Sequence, residues 1–183
     1  MDVFNLYILY IMIYINRLND IDQNYQNDIL NIIQVGFDRN DDMLANMNNP
    51  IVVYMIEENK VIAVGFGDTS ESKMMKQLKQ KIMYIHTISV DNNYRGLGLS
   101  TKLIKKLVRE FKSGYALYLH VRTSEDDPNI PAIKSYERCG FVVINPVFTE
   151  REDGPNNVMV LASQIKPNIF NKSKKSRKKS KKK

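Results

Sequence analysis

The residues with the clearest chemical potential lie at 95–100, where Arg95, Gly96, Gly98 and Ser100 come directly before an amphipathic run rich in leucine. The first N–H groups of a helix have no partner within the helix, and they carry partial positive charge. Glycine lets the main chain approach a bulky anion closely, and an arginine adds a full charge. This segment is therefore predicted to bind phosphate groups.

Two common phosphate-binding motifs do not fit this segment. The P-loop requires GxxxxGK followed by Ser or Thr, and the letters GLGLSTK have neither that order nor that spacing. The dinucleotide motif GxGxxG would need a glycine at position 101, which is Thr101. Taken alone, the segment could also be an ordinary glycine-containing loop ahead of a helix.

The elements around this segment must hold it between the end of a strand and the start of a helix. Apolar alternation and helical spacing predict the order β-α-β-β-β-α-β-α-β-β, with a polar connector over 68–81. This order is typical of an α/β fold with a mixed, mostly antiparallel central sheet flanked by helices. The predicted elements are a strand at 12–18, a helix at 20–34, a hairpin at 51–67, a strand at 82–90, a helix at 99–112, a strand at 115–121, a helix at 129–141, and strands at 141–148 and 157–163.

Together with a second motif, the segment at 95–100 resembles the GNAT acetyltransferases. The family's pyrophosphate loop, R/Q-x-x-G-x-G/A, is matched by Arg95, Gly96, Leu97, Gly98, Leu99 and Ser100, with serine in place of the final glycine or alanine. A second family signature, N-x-x-A-x-x-x-Y-x-x-x-G-F, is matched in full by Asn129, Ala132, Tyr136, Gly140 and Phe141. The resemblance implies the GNAT fold over residues 12–166 and acetyl-CoA as co-substrate.

Within that family, the strands at 82–90 and 115–121 resemble those of N-terminal-amine (Nα) acetyltransferases that act on Met-initiated peptides. The resemblance implies that Tyr84 and His120 share an ordered water that takes the amine proton, and that the Tyr136 phenol protonates the departing thiolate. An α-amine titrates at about pH 8 and a lysine at about 10.4, so a modest base suffices for the α-amine. This sequence differs from those enzymes in a longer loop at 125–128 and in lacking paired tyrosines between the last two strands.

The resemblance also implies how acetyl-CoA is bound. Main-chain groups of Ile88, Ser89 and Val90 hold the pantetheine arm, and the Val90 N–H meets the oxyanion. The loop at 95–100 holds the diphosphate, and Asn129, at the start of its helix, completes the cofactor-binding set. His86 receives no role from the resemblance and is expected to face solvent or peptide.

These features predict an acetyl-CoA-dependent N-acetyltransferase that acts on an amine of a peptide or protein, with an N-terminal α-amine favoured. One alternative is acetylation of a small amine such as a polyamine or an aminoglycoside. Another is a CoA-binding module without turnover. No metal site is predicted, because the two histidines and the single cysteine have none of the usual ligand spacings. The sequence does not indicate the oligomeric state.

The positive charge of the chain is concentrated at its C-terminus. The net charge is +7, but residues 171–183 hold nine of the 27 basic residues and no acid, so residues 1–170 carry a net charge of −2. A lysine-rich tail over 167–183 is therefore predicted to be disordered. It either only solubilises the protein or directs it to the nucleus, RNA, ribosomes or acidic membrane. The lone cysteine, Cys139, fits a reducing compartment, so we expect a cytoplasmic or nuclear protein.

The N-terminal residues 1–11 are predicted to extend the first strand. Their apolar run ends at Ile15, which is short of the roughly 20 residues that a membrane-spanning helix needs. It also lacks the charged start and the cleavage site of a signal peptide. Two alternatives are that Met12 is the true start and that the segment anchors the protein at a membrane surface.

Overall fold

Strands and helices follow one another in the computed structural model in the order that the sequence pattern predicts. The structure describes residues 11–37, 50–69, 81–122, 129–144 and 156–161. The predicted extension over 1–11, apart from Ile11, and the tail over 167–183 lie outside these residues. The elements are β1 (Met12–Arg17), α1 (Gln23–Phe37), β2 (Ile51–Glu57), β3 (Lys60–Asp68), β4 (Ile82–Val90), α2 (Leu99–Phe111), β5 (Ala116–Arg122), α3 (Ile130–Glu137), β6 (Phe141–Ile144) and β7 (Asn156–Leu161).

Several element boundaries differ from the prediction, and each difference has a local cause. The first helix begins at Gln23 because a 3₁₀ turn at Leu18–Asp20 precedes it and Asp22 caps it, its Oδ1 accepting a hydrogen bond from the Asn24 N–H at 2.8 Å. Asp68 still belongs to β3, whereas the sequence placed it in the polar connector. The last helix ends at Glu137, ahead of the reversal that Gly140 makes at a φ of +88°.

Within the described residues, seven strands form one sheet in the order β1-β2-β3-β4-β5-β7-β6. All neighbours are antiparallel except β4 and β5, which run parallel. The β4–β5 register stops at Ile85 and Leu119, although β4 remains paired with β3 as far as Val90. Residues 86–90 of β4 therefore have no registered partner on the β5 side, which opens the sheet between these two strands.

A β-bulge shifts the side chains of β4 at this point. Phe66 of β3 is in register with Thr87, and the next residue, Gly67, is in register with Ile85, so His86 is the extra residue. At the bulge the main chain of β3 comes so close to β4 that only a glycine fits at position 67. A Cβ on Gly67 would lie 2.2 Å from the Tyr84 carbonyl oxygen. Before the bulge, Met83 and Ile85 face the core cluster that includes α2. After the bulge, Ile88 and Val90 face the same cluster, so the positions that face it change from odd to even residue numbers.

Each face of the sheet is covered by helices that bury an apolar stripe. On one face, α2 buries Leu99, Leu103, Ile104 and Leu107 against the sheet, with α3 beside it. On the other face, α1 packs its isoleucines, Ile29, Ile32 and Ile33, mainly over β3. Burial of each such side chain stabilises the fold by about 2 kcal/mol. The two helical layers therefore hold the sheet in place, and with it the opening between β4 and β5.

Candidate functional site

The loop that leads into α2 has the backbone conformation of an anion-binding cradle. Gly96 and Gly98 adopt φ angles of +82° and +71°, a region that side-chain-bearing residues rarely occupy. The first helical hydrogen bond runs from the Lys102 N–H to the Gly98 carbonyl at 3.2 Å. The N–H groups of residues 99–101 therefore have no acceptor in the helix, and this end of α2 can hold an anion.

This loop borders a pocket of about 440 Å³ that extends to the opening beside β4. Of the residues predicted from sequence to bind the cofactor, all except Leu97 line the pocket, and Tyr136 lines it as well. Leu97 is 53% exposed and points away from the core. The structure thus brings together the two sequence motifs, which are about 30 residues apart in the chain, around one cavity.

Ser89 occupies a different position in the site from its neighbours in β4. Its buried hydroxyl donates to the Ile32 carbonyl of α1 at 3.1 Å. Gly36 of α1 packs against it so closely that a Cβ there would lie 2.3 Å from the Ser89 Oγ. The Ser89 side chain is therefore engaged with α1, and any contact with a ligand in the pocket would come from its main chain.

Three further pocket residues, Gly36, Ser135 and Tyr94, were not singled out from the sequence. The buried Ser135 hydroxyl lies 3.1 Å from the Ser100 Oγ and 3.0 Å from the Thr101 Oγ1, which joins α3 to the first turn of α2. Small hydroxyl residues on two predicted helices were the available signal for this contact. No local signal pointed to Gly36, because its role depends on how α1 crosses β4.

Side-chain contacts brace the segment at 91–95 that enters the loop. The Tyr94 phenol hydrogen-bonds to the buried carboxylate of Glu57, and this bond raises the pKa of Tyr94 to about 12. Asp91 accepts a hydrogen bond from the Asn93 N–H at 2.9 Å and pairs with Lys60 at 3.4 Å, and these contacts lower its pKa. The Arg95 Nε donates to the Val90 carbonyl at 3.3 Å.

The helix α3 presents Tyr136 to the pocket. Asn129 caps this helix, its side chain accepting a hydrogen bond from the Ala132 N–H at 3.2 Å, and Pro131 lies in the first turn. Burial raises the pKa of Tyr136 to about 12. The phenol therefore keeps its proton at neutral pH and can act as a hydrogen-bond donor in the cavity.

The face of the sheet that carries α1 holds a second set of polar residues. Tyr84 of β4 meets the ring of His86 edge-on, with centroids 4.6 Å apart, and its Cα is in register with Tyr118 of β5. The His86 Nε2 lies 2.9 Å from the Asp68 Oδ2. His120 lies two residues beyond Tyr118, and its main chain pairs with Val158 of β7. The position of the His120 side chain lies outside the described part of the structure.

Cys139 has the environment of a packing residue. The thiol is half-buried, it donates to the Thr101 carbonyl at 3.7 Å, and burial raises its pKa. A protonated, partly buried thiol is a poor nucleophile. Among the described residues, no group of three or more His, Cys, Asp or Glu side chains could hold a metal ion, and no helix is long and apolar enough to cross a membrane.

The comparisons with known proteins agree with this geometry. The family described as Acetyltransferase (GNAT) family matches residues 18–141. Over 57 residues, 31% of this chain, the sequence is 39% identical to the N-alpha-acetyltransferase RimI of Mycobacterium tuberculosis, and that match spans 33% of the length of RimI.

Two solved structures share the fold at low sequence identity. Arabidopsis thaliana Naa50, in complex with the bisubstrate analogue CoA-Ac-MVNAL, superposes with a TM-score of 0.58 at 17% identity, covering 81% of this chain and 97% of that one. The ribosomal-protein-S18-alanine N-acetyltransferase of Escherichia coli gives 0.59 at 20% identity, covering 87% and 99%. The sheet and helices described above are thus those expected from the sequence motifs. The chain belongs to the acetyltransferase (GNAT) family, and with that membership the predicted fold, the enzyme class and the co-substrate acetyl-CoA are confirmed.

Proposed function

We propose that this protein transfers the acetyl group of acetyl-CoA to an amine of a peptide or protein, and that the acceptor is an N-terminal α-amine. The observation that carries this proposal is a continuous pocket that runs from the glycine loop to the opening beside β4. Such a pocket provides a phosphate site at one end and access to the opposite face of the sheet at the other.

The residues of the pocket fit acetyl-CoA. The positive φ angles at Gly96 and Gly98 expose main-chain N–H groups at the start of α2, where a diphosphate would be held, and the Arg95 and Ser100 side chains add a charge and a hydroxyl. The pantetheine arm can pair with residues 88–90 of β4, because β5 does not use that edge. The same edge supplies the Val90 N–H to negative charge that develops on the thioester oxygen.

The acceptor amine must lose a proton before it can attack. We assign this step to a water held between Tyr84 and His120, whose main chains lie on adjacent strands near the point where β4 and β5 part. A neutral imidazole, with an ordinary pKa of about 6.5, is a suitable base for an α-amine that titrates at about 8. A lysine amine, at about 10.4, would need more assistance.

Tyr136 serves the leaving group in this mechanism. Its pKa of about 12 is above that of an ordinary thiol, about 8.5, so at neutral pH the phenol stays protonated and stabilises the departing thiolate by donating a hydrogen bond. The same burial that raises this pKa keeps water from competing for the thiolate. The Ser135 contacts to Ser100 and Thr101 fix α3, and with it Tyr136, relative to the phosphate loop.

The choice of an N-terminal amine is supported by the sequence similarity to RimI and by the Tyr84 and His120 motif. Incubation with acetyl-CoA and a library of peptides, lysine-containing peptides and polyamines, read by mass spectrometry, tests it. We expect the acetyl group on peptide N-termini. Transfer to polyamines alone would assign a small-amine substrate, and acetyl-CoA binding without transfer to any amine would indicate a binding module.

We further propose that the lysine-rich segment 171–183 gives this protein a salt-dependent attachment to RNA or ribosomes in the cytoplasm or nucleus. Removal of these residues should abolish cosedimentation with ribosomes at low salt and leave peptide acetylation unchanged. Cosedimentation that survives the deletion would contradict this assignment.

A further inference from the structure

A carboxylate–imidazole pair, Asp68 and His86, lies on the sheet face that carries Tyr84, and neither the sequence motifs nor the mechanism above uses it. The Asp68 Oδ2 and His86 Nε2 are 2.9 Å apart, and their side chains are 21% and 18% exposed. The His86 ring stacks on Phe66 with centroids 6.2 Å apart, and Tyr84 meets it edge-on at 4.6 Å. Three side chains, Phe66 and Asp68 of β3 and Tyr84 of β4, thus fix one orientation of the imidazole.

The position of the pair coincides with the opening in the sheet. His86 is the extra residue of the β4 bulge, and it is also the first residue after the β4–β5 register ends at Ile85. Bulges of this kind commonly redirect a side chain beside an active site. The imidazole is therefore held where an acceptor amine would approach the pocket from the α1 face.

The contact with Asp68 decides which nitrogen of His86 is basic. An ionised carboxylate can only accept hydrogen bonds, so Nε2 carries the hydrogen of the neutral ring and Nδ1 carries the lone pair. A carboxylate bound to one nitrogen also stabilises the imidazolium that forms when the other nitrogen takes a proton. The titratable groups that contact this ring include Asp68 and Tyr84.

We propose that the Asp68–His86 pair is a second proton acceptor for the attacking amine, in addition to the water assigned to Tyr84 and His120, a role that rests on the amine acetylation proposed above. One N–H proton of the protonated amine passes to His86 Nδ1, and the neutral nitrogen then bonds to the acetyl carbon as the carbon–sulfur bond breaks. A second N–H proton leaves the nitrogen for the thiolate, which yields the free thiol. The imidazolium then returns its proton to solvent, so each turnover releases one proton.

Kinetics of matched variants test this role. In Asp68→Asn and His86→Gln we expect kcat to fall about 100-fold, the lower range for loss of a general base. Acetyl-CoA affinity, measured by calorimetry, should stay within about twofold. Asp20→Asn, the same change at an exposed 3₁₀-turn residue, should leave kcat unchanged. In His86→Ala, added imidazole should restore part of the rate, which it would not do if His86 had only a packing role.

The tautomer provides a second test that needs no acceptor. The chain has only two histidines, so ¹⁵N NMR of the wild type and His86→Gln assigns both rings. We expect the neutral His86 ring to carry its hydrogen on Nε2 and to lose this preference in Asp68→Asn. A hydrogen on Nδ1, an unchanged kcat in His86→Gln, or a loss that imidazole does not rescue would each overturn the pair's role. A wild type that acetylates only polyamines would contradict the peptide proposal alone, since the same variants can then be assayed on that acceptor.

Discussion

The two faces of the central sheet contribute to the site in different ways. On the face covered by α2 and α3, the proposed phosphate cradle consists of the main chain of Gly96, Gly98 and the first turn of α2. On the face covered by α1, the chemistry that we propose depends on side chains such as those of Tyr84 and His86, whose rings are in contact. The difference implies that co-substrate binding and acetyl transfer can be disabled separately, by changes to the main chain on one face and to side chains on the other.

The largest expected effect is on transfer. Tyr84→Phe combined with His120→Gln should lower kcat about 1,000-fold, because the double variant loses both side chains that are proposed to hold the water that accepts the amine proton. Acetyl-CoA affinity should change less than about twofold, since neither residue belongs to the loop at 95–100 or to residues 88–90, which are proposed to hold the co-substrate. Steady-state kinetics and calorimetry on the same protein check both values. A parallel loss of acetyl-CoA affinity would mean that the two faces are not separable.

The next effect is on binding. Gly98→Val should weaken acetyl-CoA binding about 50-fold, because a β-branched residue at a φ of +71° costs roughly 2 kcal/mol and distorts the cradle. Gly114→Ala is the matched control, since a Cβ there would meet no atom within 4 Å and the φ is not positive. Calorimetry should show unchanged binding for the control. Equal affinities for Gly98→Val and the wild type would contradict a main-chain cradle.

These expectations differ in how well the sequence could support them. Arg95, Gly96 and Gly98, which the sequence predicts to bind the cofactor, line the pocket, and their prediction needed only the glycine spacing within six residues. The bounds of β4 at 82 and 90 were also correct, because the alternation of apolar residues is local. Local pattern was therefore sufficient to predict the elements and to single out the glycine loop that borders the pocket.

The acceptor face could not be predicted in the same way. The bulge at His86 depends on the register between β3 and β4, and the bond from Ser89 to Ile32 depends on where α1 crosses the sheet. Neither relation is encoded in a short stretch of sequence, since the partners are about 20 and 57 residues apart. Asp68 illustrates the point, because its sequence neighbours suggested a polar connector although it pairs with Tyr84 at the end of β3.

A smaller effect is expected where the two faces meet, at Tyr136. Tyr136→Phe should lower kcat about tenfold, the cost of one hydrogen bond to a charged group, and leave acetyl-CoA affinity unchanged. Because the pKa of this phenol is raised to about 12, the wild-type rate should show no decrease from its ionisation between about pH 7 and 10. A pH–rate profile of both proteins checks this. A decrease of the wild-type rate between about pH 7 and 10 that is absent in Tyr136→Phe would contradict the assignment.

The smallest expected effect is on the side-chain contacts that hold the segment at 91–95, which leads into the glycine loop. Tyr94→Phe should raise the KM for acetyl-CoA about threefold at constant kcat, since it removes the bond to Glu57. Tyr14→Phe, which loses an exposed contact to Met12, is the control. The pKa of Tyr94 is raised from 10.0 to about 12, so the stability from this bond is complete below pH 10 and is lost as the pH rises through about 12. Denaturant titrations of the wild type and Tyr94→Phe should therefore converge over that range, and a constant difference would contradict the bond.

The central claim is that main-chain amides of residues 96–100 hold the diphosphate of acetyl-CoA. Backbone ¹H–¹⁵N NMR during a titration with acetyl-CoA tests it most directly. The account predicts large shifts of the amide resonances of Gly96, Gly98 and Ser100, absent when pantetheine without the diphosphate is added. Saturable acetyl-CoA binding that leaves these three amides unmoved would contradict it.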